Sequence, residues 1–577
     1  MTTFDKYPAV IVSENNNDIW EGAKPIVEKL KRVALNHNLI AVECYPGVDV
    51  KNLYYDIIQP LHADETICTD DLFYNDDKIT EMIKSNLTED DVFGTFSPHS
   101  LNEFLDDKKV KAIKEKMKND QKKNMIVYGV GASLFAEASI LIYVDITRWE
   151  IQQRFKQGAL NWKTNNQDEQ MSRKIKRAYF FEWPLADRLK KTLLHEIDFW
   201  IDGNDTGNLK LISKEQYAQG LTQVVSQPFR LIPFFAPGVW GGEWMREKFN
   251  LDKEEVNFAW CFNGVPAENS IYLQYGDCII EIPANNVVFS HPAELLGNKV
   301  YGRFGREFPI RFNFLDTIKG QNLSLQVHPT TEYVHEEFGA HYTQDESYYV
   351  LHAEEGAVVY LGVKENIDKA EMINDLKEAE IGDKDFDDEK FIHRMNIKKH
   401  DHYSIPGGTI HSQGKNSVIL EISSTPNIYT FKLWDWGRVD LDGRPRPIHL
   451  HHGLHSIQWT RDENWVKEHL RSPNKLIAKD DGWYEEKTGL HELEFIETRR
   501  HWFSTNVYHE THDSVNVLNL VEGEEAIVES INGEFEPFIV HYAETFIIPE
   551  HIKKYSIRPH GPSRGKTIAT IKAFVRV

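Results

Sequence analysis

The stretch LSLQVHP, residues 323–329, decides the reading of this chain. Its apolar and polar residues alternate, so it predicts a strand, and on a strand Gln326 and His328 project from one face. Eighteen residues past His328, in QDESYYVL (344–351), Glu346 stands at the start of a second predicted strand. Further on, IPGGTIHSQGKN (405–416) places His411 just after a tight Pro-Gly-Gly turn. Two imidazoles, a carboxylate and an amide oxygen form a borderline-hard donor set suited to a divalent ion. Zinc accepts such nitrogen and oxygen ligands, and a position left open for water or substrate marks a catalytic site.

The surroundings of these segments predict β architecture. From about residue 225 the chain is rich in Gly, Pro, Trp and short alternating runs: FAPGVWGGEW, SIYLQYGDCIIEIP, EEGAVVYLGV and SVILEISS. Many short strands punctuated in this way predict a barrel or sandwich. Residues 364–395 are acidic and predict a helical insertion. The tail from about 488 alternates again and predicts a second barrel.

The first 215 residues differ. Apolar runs PAVIV (8–12), LIAVEC (39–44), MIVYGVG (125–131) and ILIYVD (140–145) alternate with charged amphipathic stretches. That pattern predicts a parallel α/β sheet. Residues 148–200 read as strongly helical with a basic face. The fold class expected is therefore multidomain: an α/β unit over 1–215, a β-barrel domain with its insertion over 225–450, and a second barrel over 485–577.

Composition narrows the function. The 577 residues carry 66 Lys and Arg against 89 Asp and Glu, a net charge of −23. Nucleic acids and anionic membranes call for a basic face, so both are excluded as general partners, whereas a small anion needs only a few local cations. Four widely spaced cysteines suit a reducing compartment. With neither a signal-peptide pattern nor a bilayer-length apolar run, a cytoplasmic location is expected.

The order LSLQVHP, DESYYVL, PGGTIH and an Ile-Leu-Glu strand resembles the class I mannose-6-phosphate isomerases, which are zinc-dependent cupins. The resemblance extends from GVWGGEW (238–244) through FPIRFNFLD, TFKLWDWGR and RPIHL to the tail, covering most of 230–577. It implies a double cupin, or jelly roll, whose first barrel binds one Zn2+ through Gln326, His328, Glu346 and His411. The second barrel lacks such a set and reads as structural. The reaction implied is interconversion of mannose 6-phosphate and fructose 6-phosphate through a cis-enediol(ate), with a hexose phosphate as the partner molecule. Glu421, in VILEISS, matches a family glutamate. Its roles are acid/base chemistry or substrate positioning, beside the plainer one of an ion-paired strand residue.

Two departures from the family pattern concern cations. Lys432 stands where the family has Arg in TYRLYD, and Asn313 where it has Lys in FPLLVKFLD. Arg311, two residues before Asn313, faces the same way on a strand, so the exchange keeps a positive charge near the site. Lys432, Glu421 and Arg311 are thus the catalytic candidates, and Arg438 and Asn313 candidates for substrate binding. The histidines of HLHHGLH (449–455) and YHETHD (508–513) read as solvated helix-start and loop residues.

The first 215 residues loosely resemble the uridine kinase and phosphoribulokinase group of P-loop folds, in ICTDDLFY, NMIVYGVGAS and KRAYFFEWP. The phosphate-binding motif is absent: SENNNDIWEGAKP follows PAVIV where Gly-x4-Gly-Lys-Ser/Thr is required. A degenerate domain is expected, with GVGAS (129–133), Asp70 and Asp71 as the residues of any nucleotide site. Phosphotransfer by this unit, or sensing of a sugar phosphate without turnover, are the alternative functions.

Overall fold

Burial on both faces decides which apolar runs become central strands. In the computed structural model, which describes residues 4–15, 17–119, 124–135, 140–441, 443–471, 474–489 and 494–577, LIAVEC, MIVYG and ILIYVD form strands Leu39–Cys44, Met125–Gly129 and Ile140–Asp145. The first lies between the other two, paired in parallel with both. Glu65–Cys68 and Phe199–Asp202 extend the sheet in parallel on either side. Lys210–Ser213 and Ile19–Glu21 then add antiparallel at one edge, so the seven-stranded sheet is mixed. The amphipathic helix Ala23–Ala34 buries Ile26, Val27 and Leu30 against Ile40, Val42 and Ile57.

One expectation for this unit needs correction. PAVIV does not join the parallel sheet. Its strand, Ala9–Ser13, pairs with Ser270–Tyr275 in a separate three-stranded sheet, and Ile11 is exposed. The run is apolar but too short of partners to be central, so the loop after it is not the loop of the sheet's middle strand. Residues 148–200 are largely helical, as expected, through Arg148–Lys156, Met171–Arg177 and Trp183–Leu193, with irregular chain between the first two. The basic side chains at the end of the second helix lie inside. Lys174, Lys176 and Arg177 are buried. Lys174 donates to the Ala159 and Gln167 carbonyls, and Arg177 stands 3.4 Å from Glu182.

The chain divides into two compact units. One comprises Ala9–Val224 with the hairpin residues Ser270–Ser290; the other comprises Val225–Asn269 and His291–Val577 with the N-terminal segment ending at Pro8. The second unit is built from antiparallel sheets. A six-stranded sheet runs in the order His402–Ile405, Glu346–Ala353, Ser417–Ser424, Ile310–Asp316, Trp260–Gly264, Phe234–Ala236. Its partner orders Ile392–Asn396, Val358–Val363, His411–Gln413, Leu325–Val327, Phe431–Trp434. Leu315, Tyr348 and Ile419 of the first meet Val359 and Leu361 of the second in one core. Alternation puts these apolar side chains inside together with a few polar ones, and those few make the site.

A second pair of sheets follows. Six strands in the order Lys475–Asp480, Trp483–Thr488, Ile496–Phe503, Ile568–Val575, Asn516–Glu522, Thr545–Ile548 face four strands that include Val507–Glu510 and Lys554–Pro559. Phe503, Leu518, Phe546 and Ile568 pack there against Val507, Val528, Val540 and Ile557. The acidic stretch contains the helix Lys369–Glu380, capped by the Asp368 side chain at its N-terminus.

Candidate metal centre

Strand register brings the predicted ligands together. Gln326 on Leu325–Val327 lies directly across from His411, the first residue of His411–Gln413. Glu346 opens the strand Glu346–Ala353 in the facing sheet. Its Oε1 is 2.9 Å from His411 Nε2 and its Oε2 is 3.2 Å from His328 Nε2. The ligand atoms of His328, Glu346 and His411 all lie within 4.8 Å of one another, and the three residues are almost fully buried.

The imidazoles are held in the tautomer that a metal requires. His411 Nδ1 donates to the Thr409 carbonyl at 2.9 Å, and His328 Nδ1 lies 3.3 Å from the Tyr429 carbonyl. Such carbonyl partners leave Nε2 with its lone pair directed inward. His328 Nε2 and Glu346 Oε1 are buried without a hydrogen-bond partner. Leaving such an atom unsatisfied costs about 1–3 kcal/mol, and a cation between them removes that cost. Gln326 Nε2 stands 3.2 Å from His411 Nε2, and the opposite amide rotamer brings its oxygen to the same place. Burial pushes the Glu346 carboxyl up, but the adjacent His328 and His411 outweigh it, and the group is held well below the usual carboxylate range. The residues present therefore fit a divalent ion.

A second shell of polar groups continues from Glu346. Gln344 donates from Nε2 to both Glu346 Oε2 and Glu421 Oε1, each at 3.2 Å. Glu421 also accepts from Arg311 Nη1 at 2.9 Å, Asn313 Nδ2 at 3.2 Å and Ser423 Oγ at 2.9 Å. Register explains the gathering, since Asn313 pairs with Glu421 and Arg311 with Ser423. Burial first, and the charge of Glu346 second, raise the Glu421 carboxyl, against the pull of Arg311 and Asn313.

Lys432 lies across from Gln326 on Phe431–Trp434. Burial and then Arg446 lower its amine to about 8, against Asp435. Among the described residues it makes no ion pair within 4.0 Å. Arg438 is committed elsewhere: it pairs with Asp435 and donates to the Asn322 carbonyl at 2.7 Å. No contact among the described residues joins it to the Glu421 network. Gln344 was missed by the sequence reading, although it sits two residues before Glu346, the same-face spacing that singled out Gln326 and His328. Two of the tempting histidines are not solvated: His449 and His509 are both buried. His509 lies on the strand Val507–Glu510 and His449 at the start of the helix Leu450–Ser456, and a run of histidines does not reveal which way either faces.

The mannose-6-phosphate isomerase of Streptococcus mutans is 28% identical over 218 residues, 37% of this chain and 63% of that protein. The mannose-6-phosphate isomerase ManA of Bacillus subtilis is 25% identical over 241 residues, 41% of this chain and 69% of that protein. The chain is a distant relative of the mannose-6-phosphate isomerases. The solved mannose 6-phosphate isomerase of Bacillus subtilis aligns with 60% of this chain and 99% of its own at a TM-score of 0.47 and 18% identity.

The α/β unit has a family match of its own. Residues 22–226 match a domain of unknown function, DUF8485. Its expected anion-binding turn, GVGAS, is filled by one of the chain's own carboxyl groups. Glu43, at the end of the middle strand, accepts from the Gly131 and Ser133 amides at 2.6 and 2.8 Å and from Ser133 Oγ at 2.7 Å, so the donors of GVGAS are already occupied. Asp49 likewise accepts from the Asn52 amide at the start of the helix after that strand. A cavity of about 640 Å³ at this end of the sheet is lined by Asp49, Asp70, Glu150, Arg154 and Lys163 among others. Arg154 is spent on Glu150 and on the Gly47 and Gly203 carbonyls. Asp70 accepts from Trp162 Nε1 at 3.1 Å, while Asp71 is exposed. Carboxylates dominate this cavity, which disfavours a phosphate.

Burial raises Glu43 to about 7 from an ordinary 4.5, against the three hydrogen bonds from Ser133 and Gly131. The folded protein therefore holds a proton that the unfolded chain has already lost between about pH 4.5 and 7. Stability from this group is present at the acid end and declines as pH rises through 7. Thermal melts of wild type and Glu43→Gln from pH 5 to 8 should show wild type losing ground to the variant as pH rises, by up to roughly 3 kcal/mol. A difference independent of pH contradicts this.

Proposed function

We propose that the protein is a metal-dependent aldose–ketose isomerase that interconverts mannose 6-phosphate and fructose 6-phosphate. The observation that carries this reading is the convergence of the buried ligand atoms of His328, Glu346 and His411, two of them without a hydrogen-bond partner, linked through Gln344 to a second buried carboxylate, Glu421. Gln326 completes a four-ligand set for one Zn2+, the ion that such nitrogen and oxygen donors suit. When bound, the ion polarises the sugar carbonyl and favours negative charge on the neighbouring oxygen.

The chain supplies the rest. Isomerisation moves a proton between C1 and C2 of the open sugar through a cis-enediol(ate), and a buried carboxylate with a raised pKa is suited to carry it. Glu421 is assigned that role. Arg311, Asn313 and Gln344 act as positioning residues that fix both of its oxygens. Lys432, half-buried and without a partner carboxylate among the described residues, is assigned to the substrate's phosphate. Arg438 shapes the strand end that carries Lys432. The test is turnover of mannose 6-phosphate by the metal-loaded protein, coupled to consumption of fructose 6-phosphate, with and without chelator.

One observation favours a second reading. Glu421 already accepts from four donors, which restrains it as a base. A sensor that binds a hexose phosphate without turning it over has the same site, and tight binding with no product distinguishes it.

The Lys432 amine makes a pH prediction. It is charged below about 8 and neutral above, so kcat/KM for mannose 6-phosphate should fall as pH rises through that value. Lys432→Arg should move the alkaline limb beyond pH 10, because guanidinium stays charged. An unchanged limb contradicts the assignment.

A further inference from the structure

The second barrel has a polar interior that an inert structural domain does not need. Register places Glu485, Arg499, His501, Thr570 and Lys572 on the inner face of its larger sheet, where Glu485 pairs with His501, His501 with Thr570, and Arg499 with Lys572. Phe503, Leu518 and Ile568 of the same face form the apolar core beside them. His509 enters from the opposite sheet, stacked on Tyr555 at 5.0 Å and 4.5 Å from the His501 ring.

Four buried polar atoms in this cluster have no hydrogen-bond partner: His501 Nδ1, both ring nitrogens of His509, and Thr570 Oγ1. Bare buried atoms of the same kind mark the metal centre of the first barrel. A neutral imidazole with neither nitrogen satisfied is costly, because the dry interior offers no water in exchange. The charges are also out of balance. Glu485 stands 3.4 Å from both Arg499 and His501, and Glu497 is held by Arg499 at 2.6 Å and Lys487 at 3.9 Å. Those two carboxylates face three cations, Lys487, Arg499 and Lys572. Lys572 is 1% exposed and has no carboxylate within 4.0 Å among the described residues.

A cation is the wrong occupant. Lys572 and Arg499 repel it, and among the described residues the His/Glu grouping tight enough for a metal is the one in the first barrel. The ammonium, the two imidazoles and the threonine hydroxyl can all donate, which matches the four oxygens of a tetrahedral anion. We propose that the interior of the second barrel binds a phosphate group, as the free ion or as a small monoester, between Lys572, His501, His509 and Thr570.

The test is calorimetry on the full metal-free chain in a Lys432→Met background, which blunts the first barrel's own phosphate contact. Inorganic phosphate and glycerol phosphate are titrated separately. The expected result is one saturable phosphate site, weakened at least about 30-fold by adding Lys572→Met, on the scale of a lost charge-assisted bond. Binding of both probes marks a monoester as the occupant, and binding of phosphate alone marks the free ion. Lys572→Met should hold or raise Tm, because it removes a buried cation that lacks a counter-ion. Thr570→Val serves as a second variant and should weaken the same site. Equal affinity with and without Lys572, or no saturable binding at all, overturns the proposal and leaves a water-filled interior. Saturable zinc binding that His509→Phe abolishes and phosphate does not affect also overturns it.

Discussion

His411→Ala should leave a folded protein that cannot hold its metal. The zinc content of purified protein should fall from near one per chain to below about 0.1, and isomerase turnover should fall by about 10³-fold or more, since the ion supplies several kcal/mol of charge stabilisation. Two geometric facts underlie this. His411 is the residue that meets both Gln326 and Glu346, so its loss removes a ligand and loosens two others. Its Nδ1 is anchored on the Thr409 carbonyl, which fixes the ring with Nε2 toward Glu346. The fold should survive, because alanine in place of a buried imidazole deletes a polar group from an antiparallel strand without altering its backbone bonds. Elemental analysis after dialysis reads the metal, and melting temperature reads the fold. Unchanged zinc occupancy contradicts the ligand assignment.

Glu421→Gln has the second-largest expected effect, and its signature is different. Metal content should remain at the wild-type level, because Glu421 touches the cluster only through Gln344. Turnover should fall by about 10²–10⁴-fold, the usual contribution of a positioned acid/base group. Substrate affinity should change little. The substitution also leaves Arg311 facing a neutral amide, and an uncompensated buried cation costs roughly 3–5 kcal/mol, so Tm should drop. Glu421→Asp keeps the charge while withdrawing the carboxylate from Asn313 and Gln344. It should recover most of the stability and little of the turnover. If Glu421→Gln turns over at the wild-type rate while its metal is intact, Glu421 is an ion-paired strand residue and another group moves the proton.

Much of the site was legible because strand periodicity is a strict geometric rule. Gln326 and His328 share a face by their spacing, and that spacing survives any twist of the sheet. Glu421 and Arg311 could be placed on strands for the same reason. Their pairing through register was not visible, because the partner of a strand is set by tertiary contacts and not by its own residues. Gln344 illustrates the limit: its importance lies in reaching two carboxylates on different strands, which no local pattern encodes.

In the α/β unit the parallel strands were legible as uninterrupted apolar runs, and PAVIV misled because it has the same composition as a central strand. What separates them is the number of neighbours available, and the neighbour of Ala9–Ser13 lies some 260 residues away at Ser270–Tyr275. The basic stretch near 174–177 has surroundings that composition does not reveal. Lysine and arginine normally stay wet, yet here backbone carbonyls accept from Lys174 inside and Glu182 stands 3.4 Å from Arg177. Likewise GVGAS has the composition of an anion-binding turn, and it binds the carboxyl group of Glu43.

The central claim is that His328, Glu346 and His411 hold an ion beside a carboxylate that moves a proton between C1 and C2 of a hexose 6-phosphate. Incubation of the zinc-loaded protein with mannose 6-phosphate in deuterium oxide, followed by proton NMR of the sugar, tests it most directly. The account predicts fructose 6-phosphate formation with solvent deuterium entering at C1 or C2, both abolished by chelator and restored by zinc. Persistent mannose 6-phosphate, with no product and no deuterium after the metal is shown to be bound, would contradict it.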